Sequence, residues 1–258
     1  MRYALFFAPP STSPLWIQGS RWLGRDAVSG EVLAQPVFRN LDRETISELT
    51  RTPARYGFHA TLVAPFRLKN GLVEHQLLDA AREFAADLQP LTIPPLTVSQ
   101  LDHFFCLRPV RHSTPLQVMA SLCTRAFDRF RAPLNPSELA RRKAAQLSGQ
   151  EKKNLELWGY PYVFEQFRFH FTLTVRMADG KCKDRVHTAL LKTFEPLLDD
   201  PLVIDALCLF AEQAPGLPMR CLHRFPFTPP TPATGERVSH DQHPLPQNLY
   251  PGYQCHPS

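Results

Sequence analysis

Read for hydrophobic and polar spacing, the chain alternates between strand-like and helix-like stretches. Residues 2–9 carry a short apolar run that predicts a first strand. A helix opened by Pro14 and bearing Leu15, Trp16 and Trp22 is expected next, then a short helix over Asp42–Leu49. Residues 56–66 read as a strand. Leu72, Leu77, Ala81, Phe84, Ala85 and Leu88 then keep helical spacing over Leu72–Leu88. A hairpin follows at 96–109, with Leu96–Leu101 returning through Phe104–Leu107. Thr114-Pro115 opens a helix whose Leu116, Met119, Ala120, Cys123, Phe127 and Phe130 share a face. Two charged helices come next, one from Asn135-Pro136 and one from Ser148, where Ser148 and Glu151 form a capping-box pattern that ends before Gly159. A strand at 166–176, a helix at 184–198 and a hairpin of 202–212 with 219–227 complete the series.

The first half of this series is strand, helix, strand, helix, strand, and the second half repeats it with a helical insert at 135–158. Such a pattern predicts an internal duplication. Phe58-His59-Ala60-Thr61-Leu62 and Phe169-His170-Phe171-Thr172-Leu173 carry it, matching at four of five positions 111 residues apart. The periodicity stops near Pro226, beyond which lie eight of the 26 prolines, counting Pro226 itself. Residues 229–258 are therefore expected to be a disordered tail outside the fold.

Side chains two apart on a strand project to the same face. His59 and Thr61 therefore point together, as do His170 and Thr172. On the second strand Phe167, Phe169, Phe171, Leu173 and Val175 form an apolar face, against Arg168, His170, Thr172, Thr174 and Arg176. On the first, Phe58, Ala60, Leu62, Ala64 and Phe66 oppose Arg55, Gly57, His59, Thr61 and Arg67. A polar strand face facing water explains one such strand, but not two copies of the same pattern. About one H-x-T is expected by chance in a chain with ten histidines, and His112-Ser113-Thr114 is that decoy: it lacks the flanking Phe and Leu and sits at a helix start.

Composition narrows the classes without choosing among them. The 258 residues are 43% hydrophobic and 21% charged, with 29 Lys+Arg against 24 Asp+Glu and a net charge of +5. That is ordinary globular material, weakly favouring anionic partners. No stretch approaches the roughly 20 apolar residues of a membrane helix, and the N-terminus lacks a signal-peptide pattern, so a cytoplasmic, membrane-free protein is expected. Six cysteines without a C-x-x-C read as reduced packing residues. No H-x-H, H-x-x-x-H or carboxylate cluster of ligand spacing is present, so neither a metal nor another cofactor is expected.

With these motifs the chain resembles the 2H phosphoesterases, named for two H-x-T/S motifs. The resemblance covers residues 1 to about 227. It is nearest to the branch associated with phosphonate-metabolism operons, through Arg55-Tyr56-Gly57-Phe58-His59-Ala60-Thr61-Leu62 and Trp158-Gly159-Tyr160-Pro161-Tyr162-Val163-Phe164 running into Phe167–Leu173. It implies a single α+β domain over 1–228, pseudo-symmetric and two-lobed (about 1–101 and 102–228), with two mainly antiparallel sheets flanking a cleft and helices outside. It also implies a metal-independent cyclic phosphodiesterase. By the family's usual order His59 would protonate the leaving oxygen and His170 would activate water. Thr61, Thr172 and Arg168 would bind phosphate, and Arg55, Tyr160 and Tyr162 are further substrate contacts.

The phosphonate-operon likeness implies 5-phosphoribosyl 1,2-cyclic phosphate as substrate. RNA 2′,3′-cyclic phosphate ends, and a non-catalytic nucleotide- or RNA-binding module using the same cleft, remain alternatives. A monomer is expected. Arg176 ranks below Arg168 as a phosphate ligand, and Tyr56 falls by strand parity on the core face. His75, His103, His187 and His223 stand alone, and His240, His243 and His256 belong to the tail. The Arg141-Arg142-Lys143 cluster reads as a solvated helix face or as a positive lip over the cleft.

Overall fold

Tyr3-Ala4-Leu5-Phe6-Phe7 leaves no side of its strand polar, and a strand apolar on both faces has to run through the middle of a sheet. In the computed structural model, which describes residues 1–143 and 146–229, β1 (Arg2–Phe7) does so, with Tyr3 to Phe7 all buried. The other described strands are β2 (Ala60–Phe66), β3 (Leu91–Ile93), β4 (Leu96–Leu101), β5 (Phe104–Pro109), β6 (Phe171–Thr172), β7 (Leu202–Ile204), β8 (Ala206–Glu212) and β9 (Arg220–Pro226). Seven of them form one sheet in the order β4-β5-β6-β2-β1-β8-β9, and β3 pairs with β7 in a second, two-stranded sheet. The named strand pairs are all antiparallel. The helices are α1 (Pro14–Leu23), α2 (Arg43–Tyr56), α3 (Glu74–Ala86), α4 (Thr114–Asp128), α5 (Pro136–Lys143), α6 (Gly149–Trp158) and α7 (Lys181–Phe194). This is the expected α+β class.

The duplication is visible in the sheet order. A twofold between β6 and β2 exchanges β5 with β1 and β4 with β8, and relates β3 to its own partner β7. Each half lends a strand to the other: β4 pairs with β5, and β8 pairs with β1. Below the central pair, Phe58 stacks on Phe171 at 4.7 Å, and Phe7 meets both Phe169 and Phe171. Offset and edge-to-face aromatic contacts of this kind add to area burial. α3 packs on β8 and β9, α4 on β2 and α7 on β4.

Local signals set several boundaries, with the start of α1 at Pro14 and the capping box of α6 as expected. Ser13 caps α1 ahead of Pro14, and Gly24 closes it with φ +77°. Ser148 and Glu151 form a reciprocal capping box on α6, which ends at Gly159 with φ +67°. Residues 230–258, nearly all of the expected tail, lie outside the described residues; Thr228 is still tied to the main chain of Ala86 and Leu88.

Three expectations are corrected. The helix expected to stop at Leu49 continues to Tyr56 through Pro53, so residues 56–59 precede the strand and are not part of it. Pro53 has no N–H for the carbonyl of Leu49, and that carbonyl accepts instead from Val175 N at 2.7 Å. The strand expected at 166–176 shrinks to Phe171–Thr172. After Thr172 the ladder is broken because Thr174 turns inward: it is buried, and its hydroxyl accepts from Phe105 N at 2.9 Å. Finally, the expected 184–198 helix begins at Lys181 and ends at Phe194.

One buried charge ties the start of β1 to the end of its neighbour β8. Glu212 is 1% exposed and receives Arg2 and Arg55 together with Gly216 N. Burial alone would raise its pKa, but hydrogen bonds from Arg2 and Arg55 hold it down at about 2. Its stabilising share is therefore present above pH 4.5 and is lost as pH falls toward 2. Glu212→Gln is expected to cost roughly 3 kcal/mol in urea unfolding at pH 7, since two cations lose their buried counter-charge; a cost below about 0.5 kcal/mol would contradict this role.

Candidate active site

The site begins with one pair of residues. Ala60 of β2 stands opposite Phe171 of β6. In an antiparallel pair that register sets His59 opposite Thr172 and Thr61 opposite His170. Directly opposed residues are about 5 Å apart and diagonal ones about 7–8 Å. The result is a four-cornered patch with two imidazoles on one diagonal and two hydroxyls on the other. All four side chains line one cavity of about 470 Å³.

Both rings are held in the same way. His59 Nδ1 lies 2.9 Å from the carbonyl of Gly57, and His170 Nδ1 lies 2.7 Å from the carbonyl of Arg168. A carbonyl only accepts, so each Nδ1 carries a proton, leaving Nε2 as the nitrogen for chemistry. Thr61 Oγ1 is 3.3 Å from His59 Nε2. The His59 ring also stacks on Phe6 at 3.7 Å, which fixes its plane, while His170 leans against Phe104 at 5.6 Å. Gly57 is required in this turn. Its φ is +80°, and a Cβ there would stand 2.4 Å from that of Ala27.

Burial sets the proton affinity of the pair. Desolvation pulls His59 down to about 4, against the raising effect of the Gly57 carbonyl, and the neighbouring His170 lowers it further. His170 is also lowered, chiefly by burial, with the Arg168 carbonyl and Asp102 acting the other way. At neutral pH the unliganded pair is therefore uncharged and able to accept protons.

The remaining candidates divide. Tyr160 and Tyr162 line the cavity, meeting edge to face at 5.5 Å, and burial lifts the Tyr160 hydroxyl to about 12. Arg168 does not line this cavity. It lines an adjoining one of about 200 Å³ with His170, Thr61 and Arg176, lies 5.2 Å from the Tyr162 ring, and is 3.7 Å from Asp102 and 3.5 Å from Glu151. Arg55 is turned away onto Glu212 and lines neither space.

A family model described as protein of unknown function (DUF1045) matches residues 61–220, well over half of the chain. The chain belongs to that family. Among curated proteins it is similar to one from Janthinobacterium sp. (strain Marseille), 40% identical over 242 residues, which cover 92% of this chain and 52% of that protein. A second, from Laribacter hongkongensis (strain HLHK9), is 36% identical over 225 residues, covering 85% and 50%. Both are named ribose 1,5-bisphosphate phosphokinase PhnN, and the chain spans about half the length of each. Among solved structures it is distantly similar to LigT of E. coli complexed with 3′-AMP, with a TM-score of 0.38 and 13% identity over 88% of this chain and 98% of that one. A phosphoesterase structure gives a TM-score of 0.37 and 14% identity over the same shares.

Other residues of this family member also reach the cavity, among them Tyr56, Arg142 and Arg2, the last of which sequence reasoning missed. Tyr56 lines it because it ends α2, where strand parity does not apply. Arg2 lines it from β1, on the face it shares with Phe6. Arg142 lines it from α5, so the positive-lip reading of its cluster applies to that residue. Among the described residues no cluster of three or more His, Cys, Asp or Glu could hold a metal ion, and no helix is long and apolar enough to cross a membrane.

The lowered histidines give a stability signature. An unfolded histidine binds its proton near pH 6.5, so stability is lost as pH falls from 6.5 toward 4. Urea unfolding between pH 6.5 and 5, above the range where Glu212 acts, is expected to show a loss of up to about 1 kcal/mol per pH unit that His59→Gln reduces. An unchanged slope in that variant would show that His59 keeps an ordinary pKa.

Proposed function

We propose that the chain is a 2H-type phosphodiesterase that opens a small cyclic phosphodiester to a phosphomonoester. The observation that carries this reading is the pair of imidazoles with their Nδ1 atoms occupied by main-chain carbonyls and both rings lining one cavity with two threonines. A phosphate seated between the diagonal histidines has a nitrogen on each side. His170 Nε2 takes a proton from water as its oxygen bonds to phosphorus, and His59 Nε2–H⁺ gives a proton to the departing sugar oxygen. Thr61 and Thr172 hydroxyls donate to the non-bridging oxygens, where charge accumulates. With both rings neutral beforehand, the anionic substrate supplies the field that favours an imidazolium on the acid side. None of these steps calls on a metal.

The substrate that fits the similar proteins best is 5-phosphoribosyl 1,2-cyclic phosphate. Water adding to phosphorus with cleavage of the P–O2 bond leaves the phosphate on C1, and the product is ribose 1,5-bisphosphate. That is the compound specified by the name of the two relatives, in each of which this chain matches about half the length. Cleavage of P–O1 would give the 2,5-bisphosphate instead. The phosphokinase activity of that name is not assigned to this chain, which contains no G-x-x-x-x-G-K-[ST] loop.

The test is turnover in EDTA of 5-phosphoribosyl 1,2-cyclic phosphate and of nucleoside 2′,3′-cyclic phosphates. Wild type is expected to open the ribosyl substrate with chelator present, and His59→Ala and His170→Ala each to lose about 10²–10⁴-fold in kcat. Activity that survives either substitution, or that EDTA abolishes, would overturn the mechanism. Preference for the nucleoside substrates would move the reading to RNA ends, and binding without turnover would make the cleft a recognition module.

A further inference from the structure

The cavity is larger than one cyclic phosphate needs, and its far part is positive. Beyond the four motif side chains, Arg2, Arg142, Tyr56 and Tyr160 line it, and none of its lining residues is a carboxylate. Arg2 and Phe6 share a face of β1 four residues apart, a separation of about 13 Å along the strand. Phe6 lies against the His59 ring, so Arg2 is rooted well beyond the reacting end and its long side chain spans part of the interval. A five-carbon sugar carrying phosphates at opposite ends has dimensions of this order.

Both cations are positioned rather than loose. Arg2 has its Nε on Glu212, which is 1% exposed. Glu212 also serves Arg55, so one carboxylate is shared by two guanidiniums and the group keeps a net positive charge. Arg142 lies over the Tyr160 ring at 5.4 Å and reaches the Pro65 carbonyl at 3.4 Å. Stacking on an aromatic face sets the plane of a guanidinium, and a planar guanidinium grips a phosphate with two prongs.

We propose that Arg142 and Arg2 form a second anion subsite, which takes a terminal phosphomonoester at the end of the substrate remote from the bond that breaks. This deepens the phosphodiesterase reading and rests on it for the orientation of the substrate. The motif patch selects the cyclic phosphate. The arginine end selects sugars with a second phosphate, and binding energy gained there raises kcat/KM for them.

The experiment compares 5-phosphoribosyl 1,2-cyclic phosphate with ribose 1,2-cyclic phosphate, which lacks the terminal group, in wild type, Arg142→Gln and Arg142→Lys. The ratio of kcat/KM between the two substrates is expected to fall at least about tenfold in Arg142→Gln and less in Arg142→Lys, with most of the change in KM. An unchanged ratio in Arg142→Gln overturns the subsite, whatever the absolute rates. Calorimetry with ribose 5-phosphate separates this from the phosphodiesterase reading itself. If wild type opens neither substrate, binding of ribose 5-phosphate that weakens about tenfold in Arg142→Gln sustains the subsite while the catalytic reading falls. Failure of wild type to bind ribose 5-phosphate overturns the subsite.

Discussion

One pair of residues, Ala60 on β2 and Phe171 on β6, 111 positions apart in sequence, carries the arrangement on which the site depends. With Ala60 opposite Phe171, both H-x-T motifs present to one face at adjacent positions. A slip of one residue would turn the second motif into the core and the phenylalanines into the cleft. So short a β6 cannot hold register through its own ladder. The register is held from outside, by Phe58 stacked on Phe171, by Trp22 Nε1 donating to Leu173 O at 2.9 Å, and by the buried Thr174 hydroxyl on Phe105 N. Pro53 contributes too, since the carbonyl it leaves without a helical partner accepts from Val175 N.

The same aromatic packing sets the chemistry above it. Phe6 comes from β1 beside the central pair and stacks on His59, and burial lowers both imidazoles. A site whose bases are neutral until an anion arrives keeps mutual repulsion between them low when empty. On the proposed reading, it gains an imidazolium when a phosphate is there to stabilise it. The main-chain carbonyls of Gly57 and Arg168 complete this by settling the tautomer of each ring alike, as expected of a duplicated motif.

The parts of this picture that depend on short-range pattern were legible in the sequence. The F-H-x-T-L motif, the helix start at Pro14, the capping box at Ser148 and the α+β element order all follow from neighbours within a few residues. Where the reading erred, a distant partner had intervened. A proline usually kinks or breaks a helix, yet at Pro53 the helix runs on and Val175 N takes up the Leu49 carbonyl left without a helical partner. Thr174 belongs by parity to the polar face, yet the Phe105 amide draws it inward. Arg55 looked like a substrate contact beside His59 in sequence, but Glu212, 157 residues away, holds it elsewhere. Arg2 and Arg142 acquire their position only once β1 is known to flank β2 and α5 to close over it.

The account stands or falls on the two imidazoles addressing one phosphate. Nitrogen-15 NMR of the histidine rings during titration with inorganic phosphate reads this directly. His59 and His170 are expected to begin as Nδ1–H tautomers and to shift together, with one shared dissociation constant. An Nε2–H tautomer at either ring, or a response confined to one of them, would contradict it.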